Sequence, residues 1–166
     1  MRGIRGVRRD EAFEAAFPSL YHRALAVATR VVGDPDSAED VAAEALARTY
    51  VQWGRVRELP YLEAWVLRVT ANVALDAVRR RKPALAPAPG VDPAEQVVDR
   101  LFVTGQLQRL SKRQQEVVVL RYVADLPEAE VASSLGVGVE TVKEHAARAM
   151  RALRAGVEKE AGRAVV

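Results

Sequence analysis

Proline is refused by helix interiors and central strands alike, and this chain gathers four of its eight prolines into one short stretch, Lys82-Pro83-Ala84-Leu85-Ala86-Pro87-Ala88-Pro89-Gly90-Val91-Asp92-Pro93. Each proline removes a backbone donor and biases the residue before it away from the helical region. The stretch therefore reads as an extended linker, able to span at most about 40 Å. It divides the 166 residues into two segments, each of a size for one small domain. With 49% hydrophobic residues the chain has enough apolar content for packed cores.

Both segments carry apolar residues at spacings of three and four, the signature of one buried helix face. In the first helix the stripe is Phe13, Phe17, Leu20, Ala24, Leu25, Ala28 and Val31. Pro18 is expected to kink this helix or split off its first turns, and Gly33-Asp34-Pro35 to end it. Asp36-Ser37-Ala38-Glu39 resembles a capping box that opens a second helix burying Val41, Ala45, Leu46, Thr49 and Tyr50, with Gly54 as its stop. Pro60 suits the first turn of a third helix with a core face of Leu62, Val66, Val69, Val73 and Ala77. Beyond the linker, Asp92-Pro93-Ala94-Glu95 is a capped start followed by the stripe Val97, Val98, Leu101 and Phe102. Ser111-Lys112-Arg113-Gln114 opens a helix burying Val117, Val118, Leu120 and Val123. Pro127-Glu128 starts a short helix through Leu135, and after Gly136-Val137-Gly138 a long helix runs from about Val139 to Val157 on Val142, Ala146, Ala149 and Leu153. No strict alternation persists long enough for a strand. The expectation is an all-α chain of two small helical domains, residues 10–81 and 94–158, joined by the Pro-rich linker 82–93.

Composition excludes several kinds of chemistry. Without cysteine there is no disulfide framework, thiolate zinc site or cysteine nucleophile. No run free of charged residues approaches the roughly 20 apolar residues of a membrane span. Asp10, Glu11 and Glu14 follow the basic start where a signal peptide would be apolar, so the expected address is the cytoplasm, with no membrane partner. The net charge of +3 is a weak pointer to an anionic partner, and placement says more. Positive charge concentrates at Arg79-Arg80-Arg81-Lys82 and again at Lys143, Arg148, Arg151 and Arg154.

Three constellations stand out. The short helix, Gly-containing turn and long helix of residues 127–153 form a helix-turn-helix, whose second helix would enter a DNA major groove. Its outward face offers Glu140, Lys143, Glu144, Ala147, Arg148 and Arg151, flanked by Thr141 and His145. Lys and Arg can reach phosphates or guanine, and Glu can accept from cytosine. A helical hairpin with merely solvated charges would look the same. On the third helix a second stripe, Trp65, Arg68, Asn72, Asp76 and Arg79, joins an aromatic to guanidinium groups, the combination that single-stranded nucleic acid uses. Trp53 and Tyr61 flank it, although a tryptophan on an amphipathic helix also serves as core. The acidic face of Asp36, Glu39, Asp40 and Glu44 could suggest acid-base or metal chemistry, but a helix N-terminus favours acidic residues without any site. His22 and His145 lie in opposite halves, and neither a catalytic triad nor a phosphate loop is visible. No enzyme activity, metal or cofactor is expected.

These residues resemble a known family. Asp36-Ser37-Ala38-Glu39-Asp40-Val41-Ala42-Ala43-Glu44-Ala45-Leu46 is similar to region 2.2 of bacterial σ factors. Ala64-Trp65-Val66-Leu67-Arg68-Val69-Thr70-Ala71-Asn72-Val73-Ala74-Leu75-Asp76, followed by Arg79-Arg80, resembles regions 2.3–2.4. Leu110-Ser111 through Leu120-Arg121-Tyr122, then Glu130-Val131-Ala132, Leu135-Gly136 and Thr141-Val142-Lys143, resembles region 4. The order, the linker and the lack of regions 1.1 and 3 are similar to the extracytoplasmic-function (ECF) type of the σ70 family, over about residues 10–157. Ala43 stands where the family often has Gln, and Gly138 and Leu126 where it usually has a hydroxyl cap.

The resemblance implies a region 2 helical bundle and a region 4 helix-turn-helix. Asp36, Glu39, Asp40, Glu44 and Arg48 would bind core RNA polymerase. Arg55 in the loop Gly54–Pro60, with Trp65, Arg68, Asn72, Asp76, Arg79 and Arg80, would capture unstacked −10 bases. Glu140, Thr141, Lys143, Glu144, His145 and Arg148 would read the −35 element as duplex. Promoter DNA and core polymerase are the implied partners, with an anti-σ factor as a further candidate. Two domains of radius about 15 Å on such a linker can hold sites roughly 70 Å apart, about two turns of duplex. Two other readings fit the residues less fully. One is a stand-alone helix-turn-helix regulator with residues 10–81 as a sensor or dimerisation domain, and the other a helical adaptor that touches only protein.

Overall fold

The computed structural model describes residues 2–81 and 105–164. The expected linker, the capped start at Asp92 and the stripe from Val97 to Phe102 lie outside the described residues. Everything regular among those described is helical. In chain order the elements are α1 (Arg2–Val32), α2 (Pro35–Val56), α3 (Leu62–Arg80), α4 (Lys112–Val118), a π-helical turn (Val119–Val123), α5 (Glu128–Leu135) and α6 (Val139–Ala164). Residues 105–108 are also helical.

Helix α1 runs continuously through Pro18, so the first turns are not split off there. A proline deprives the carbonyl four residues back of its donor. That residue is Glu14, and both it and Pro18 face outward, so solvent can satisfy the orphan. Helix α2 begins earlier than the expected capping box. Its cap is Asp34, whose carboxylate accepts from the Ser37 N–H at 2.8 Å, with Pro35 in the first turn where its missing donor costs nothing. Arg81 donates to the same carboxylate, to Ser37 Oγ and, at 2.7 Å, to the Val32 carbonyl at the end of α1. Burial alone would raise the Asp34 carboxyl, but the Ser37 bonds and the Arg81 guanidinium outweigh it and hold the pKa below the usual carboxylate range. Gly54 does not stop α2, which continues to Val56 because Trp53 and Val56 are both buried and fix the last turn. Pro60 lies in the turn before α3 and not in its first turn.

Ser111 opens α4 as expected, and the structure shows it to be a capping box with Gln114, both reciprocal bonds being present. The helix then widens into the π turn, where Ala124 N–H reaches back five residues to the Val119 carbonyl at 2.8 Å. This shift of register buries Val119 together with Leu120, whereas the 3.6-residue pattern alone did not place Val119 inside. Gly136, at φ 65°, supplies the left-handed residue that ends α5, and the Val137 N–H closes on the Ala132 carbonyl at 3.1 Å. Helix α6 extends beyond the expected Val157, to Ala164.

Helices α1, α2 and α3 pack into a bundle with two apolar cores. One joins Leu20, Ala24, Ala42, Ala45, Leu46, Trp53, Val56 and Val66. The other does not stay within the N-terminal half: Val27, Ala28, Val41, Leu67, Ala71 and Val78 share it with Val117, Val119, Leu120, Leu126, Val131, Leu135 and Val142. The two helical units are therefore packed on one another. Two residues expected inside are exposed: Phe17 and Tyr50 are about two-fifths exposed, stacking with Tyr21 and meeting Phe13 edge-on.

Candidate nucleic-acid interface

On α3 the tertiary packing divides the chemistry. Ala64, Leu67, Ala71, Ala74, Leu75 and Val78 are buried in addition to Val66 and Val73, so this helix is apolar on more of its circumference than the single expected stripe. The remaining arc presents Trp65, Arg68, Asn72 and Asp76, all half-buried, and ends at exposed Arg79 and Arg80. These side chains share one side of the helix, as their spacing requires. Arg79 donates to Asp76 at 2.7 Å, and Arg81 is committed to the α1–α2 junction, so the basic cluster is partly spent on the fold. Arg55 is exposed at the end of α2, where with Tyr61, Leu59, Trp65, Arg68 and Ser133 it lines a cleft of about 560 Å³ between the two halves. Trp53, by contrast, is only 3% exposed and belongs to the core, and its indole is not available for stacking.

Between α2 and α3 lie two smaller concavities. One, of about 370 Å³, is lined by Arg48, Val51, Gln52, Trp65, Val69 and Asn72, and Val51 stands 71% exposed beside it. Sequence reasoning missed Val51 and Gln52. An exposed valine within the apolar pattern of α2 is the only signal they left. The second, of about 160 Å³, brings Asp40, Glu44 and Arg48 of α2 to Asp76 and Arg80 of α3. Asp36 and Glu39 are exposed near the start of α2, and Glu44 pairs with Arg48 at 2.5 Å. Among the described residues no group of acidic or histidine side chains is arranged to hold a metal.

The helix-turn-helix is built as its sequence suggests. Val131, Ala132 and Leu135 of α5 and Val142, Ala146 and Ala149 of α6 are buried. Glu140, Lys143, Glu144, Ala147, Arg148 and Arg151 are all exposed, while Thr141 and His145 are half-buried at the flanks. Lys143 donates to Glu140 at 2.8 Å, and Arg148 pairs with Glu144. The Glu140 hydrogen bond and charge hold the Lys143 pKa above its ordinary value. Each acid on this face thus pairs with a base one turn away.

A helix-turn-helix with an open basic face, attached to a helical bundle with an aromatic-basic face, defines an all-helical DNA-reading protein. Residues 17–83 match the family Sigma-70 region 2, and residues 103–153 match Sigma-70, region 4. The RNA polymerase sigma-E factor of Streptomyces coelicolor is 35% identical over 136 residues, covering 78% of this chain and 77% of that one. The ECF RNA polymerase sigma factor SigW of Bacillus subtilis is 29% identical over 75% of this chain and 78% of its own. Among solved structures, CnrH in complex with the cytosolic domain of CnrY superimposes with a TM-score of 0.66 at 24% identity, over 92% of this chain and 96% of that one. The sigma factor RpoE of Bartonella quintana, in complex with the anti-sigma factor NepR, gives 0.59 at 19% over 88% and 96%. These two likenesses concern the fold.

The chain belongs to the ECF type of the sigma-70 family of RNA polymerase sigma factors. It directs promoter-specific transcription initiation by RNA polymerase, and the reading as a stand-alone regulator is not favoured. Sigma factors are not enzymes. No helix among the described residues is long and apolar enough to cross a membrane.

Proposed function

We propose that the two faces divide promoter recognition between them. The α3 face, with Trp65, Arg68, Asn72, Asp76, Arg79 and Arg80 and with Arg55 beside it, takes unstacked −10 bases. Stacking on an aromatic ring stabilises a base by about 1–3 kcal/mol, and guanidinium groups hold the backbone. Captured bases offset a local duplex opening that costs a few kcal/mol, so melting follows from binding and this chain makes or breaks no bond. The exposed side of α6, with Glu140, Thr141, Lys143, Glu144, His145 and Arg148, reads the −35 duplex. Asp36, Glu39, Asp40, Glu44 and Arg48 of α2 dock on core polymerase, and the chain works in the cytoplasm. One protein of similar fold, the sigma factor RpoE of Bartonella quintana, is seen with an anti-sigma factor, which supports such a partner here as well.

The observation that supports this reading best is the presence in one chain of two separate faces of different chemistry. One is aromatic and sheltered, suited to single bases, and the other is charged and open, suited to duplex. Run-off transcription with core enzyme on a genomic promoter library, with and without the chain, tests it. Promoter-specific initiation that appears only with the chain is expected, and initiation independent of the chain would overturn it. Asn72→Ala is expected to impair open-complex formation more than core binding, and an equal loss of both would remove Asn72 from the −10 face.

A further inference from the structure

Along the exposed side of α6 the basic side chains are of two kinds. Lys143 Nζ donates to Glu140 Oε1 at 2.8 Å, and Arg148 Nη2 pairs with Glu144 Oε1, each acid lying one turn before its base. Glu128 of α5 adds its charge to Lys143. Arg151, one turn further along, has no such acid, because Ala147, Arg148, Arg154 and Ala155 fill the positions three and four residues to either side of it. Glu140, Lys143, Glu144, Arg148 and Arg151 are all exposed. Ion pairs in open solvent add little to stability, so the consequence of this pairing lies in what the two cations can still bind.

A guanidinium presents its N–H donors on two edges, one formed by Nη1 and Nη2 and one by Nε and Nη2. A carboxylate on a single Nη2 hydrogen engages one edge and leaves the other whole, enough for the O6 and N7 acceptors of guanine. Lys143 likewise keeps two of its three donors. Base acceptors are uncharged, so a paired cation reaches them with its carboxylate still in place. A phosphate is an anion. To bind the same cation it must displace the carboxylate or lie within a few ångströms of it, where like charges repel. The carboxylates also fix two long side chains in advance, which lowers the ordering that a base contact requires.

We propose that Glu140 and Glu144 are positioning residues for specificity: they hold Lys143 and Arg148 for base edges and deny them to phosphates, leaving phosphate contact on this face to Arg151. The inference deepens the −35 reading of α6 and rests on it. Two acids on a DNA-reading face lower its attraction for every duplex, but the loss falls mainly on duplex of the wrong sequence, where phosphates are all that the cations could reach. Discrimination therefore rises while total affinity falls.

Glu140→Gln with Glu144→Gln removes both charges and keeps the side-chain lengths, and Arg151→Ala serves as the comparison. All three positions are exposed, so neither variant endangers the fold. Retention of a random-sequence duplex by the free full chain is measured at two salt concentrations about fourfold apart, over which each phosphate contact costs about threefold in affinity. The Gln variant is expected to lose about threefold more than the wild type if one freed cation takes a phosphate, and about tenfold more if both do. Arg151→Ala is expected to lose about threefold less. Holoenzyme carrying each chain then selects from a promoter recovered in the run-off assay and randomised over its −35 element. The Gln variant is expected to enrich the wild-type sequence less sharply, and Arg151→Ala to weaken retention without changing the sequence enriched. A salt dependence of the Gln variant equal to that of the wild type would overturn the proposal, even with reduced enrichment, which would make the acids direct readers of cytosine. A steeper dependence with undiminished enrichment would overturn it as well. Lys143→Ala with Arg148→Ala should abolish −35 enrichment. Enrichment that survives this change overturns the −35 reading itself, a result separate from either outcome of the Gln variant.

Discussion

Helices α3 and α6 are both amphipathic and both carry a basic face, yet the fold treats them in opposite ways. Helix α6 buries Val142, Ala146 and Ala149 and leaves its charged side in solvent, where Glu140–Lys143 and Glu144–Arg148 neutralise one another. Helix α3 is packed by the α1–α2 bundle and again by the C-terminal half, and its polar arc is half-buried. An open, self-paired surface suits a rigid duplex met from outside. A sheltered arc with an aromatic wall suits single bases, which must leave water to bind.

The largest effect that would break this contrast is expected from Leu120→Ala. Leu120 is fully buried in the core that both halves share, and such truncations cost about 2–5 kcal/mol. Chemical denaturation followed separately by Trp53 fluorescence and by a probe on α6 should show both halves losing stability. Loss confined to the C-terminal half would mean that the shared core does not couple them. Next in size is Arg148→Ala, expected to weaken duplex −35 binding by about 1–3 kcal/mol while leaving stability nearly unchanged, since the residue is exposed. A fragment-independent gel-shift assay on the holoenzyme with matched promoter and scrambled duplexes distinguishes base reading from general charge.

Asp34→Ala should remove the cap of α2 and its tie to Arg81, at a cost of about 1 kcal/mol at neutral pH. Because the folded pKa of Asp34 lies below its unfolded value, its contribution is fully present above the unfolded pKa and fades as pH falls through the folded one. Thermal melts of the wild type and variant should therefore converge in acid, and a difference that persists there would place the cap's effect elsewhere. The smallest effect belongs to α6. A Cβ at Gly138 meets only Thr141 Oγ1, at 3.9 Å, so Gly138→Ser can cap the recognition helix without a clash. A gain of about a few tenths of a kcal/mol in denaturant unfolding is expected, and a loss would show that position 138 does not have cap geometry.

Much of this was legible from periodicity and punctuation. The apolar spacing of α6, the helix start at Ser111 and the turn at Gly136 are local properties, and each is realised as written. Gly54 and the split expected at Pro18 misled, because a breaker ends a helix only where the orphaned group cannot reach solvent or no core residue holds the turn. The π turn was hidden because its register change yields one more buried position, Val119, and no residue type announces it. Tyr50, expected inside, is exposed with its hydroxyl donating to Asp10 at 2.6 Å, while Trp53 fills the core. Three residues apart on one helix, they share an apolar pattern that cannot rank them.

By itself the sequence determined the all-helical class, the charged outward face of α6 and the aromatic-basic stripe of α3, since helical spacing and side-chain chemistry are read residue by residue. Only the tertiary structure decided that Leu67, Ala71 and Val78 share a core with Leu120 and Val131, and that Arg68 is held by Glu116 and Ser134. Those contacts join residues dozens of positions apart. Their strength depends on which faces the two halves bury against each other, and helical periodicity carries no information about that choice.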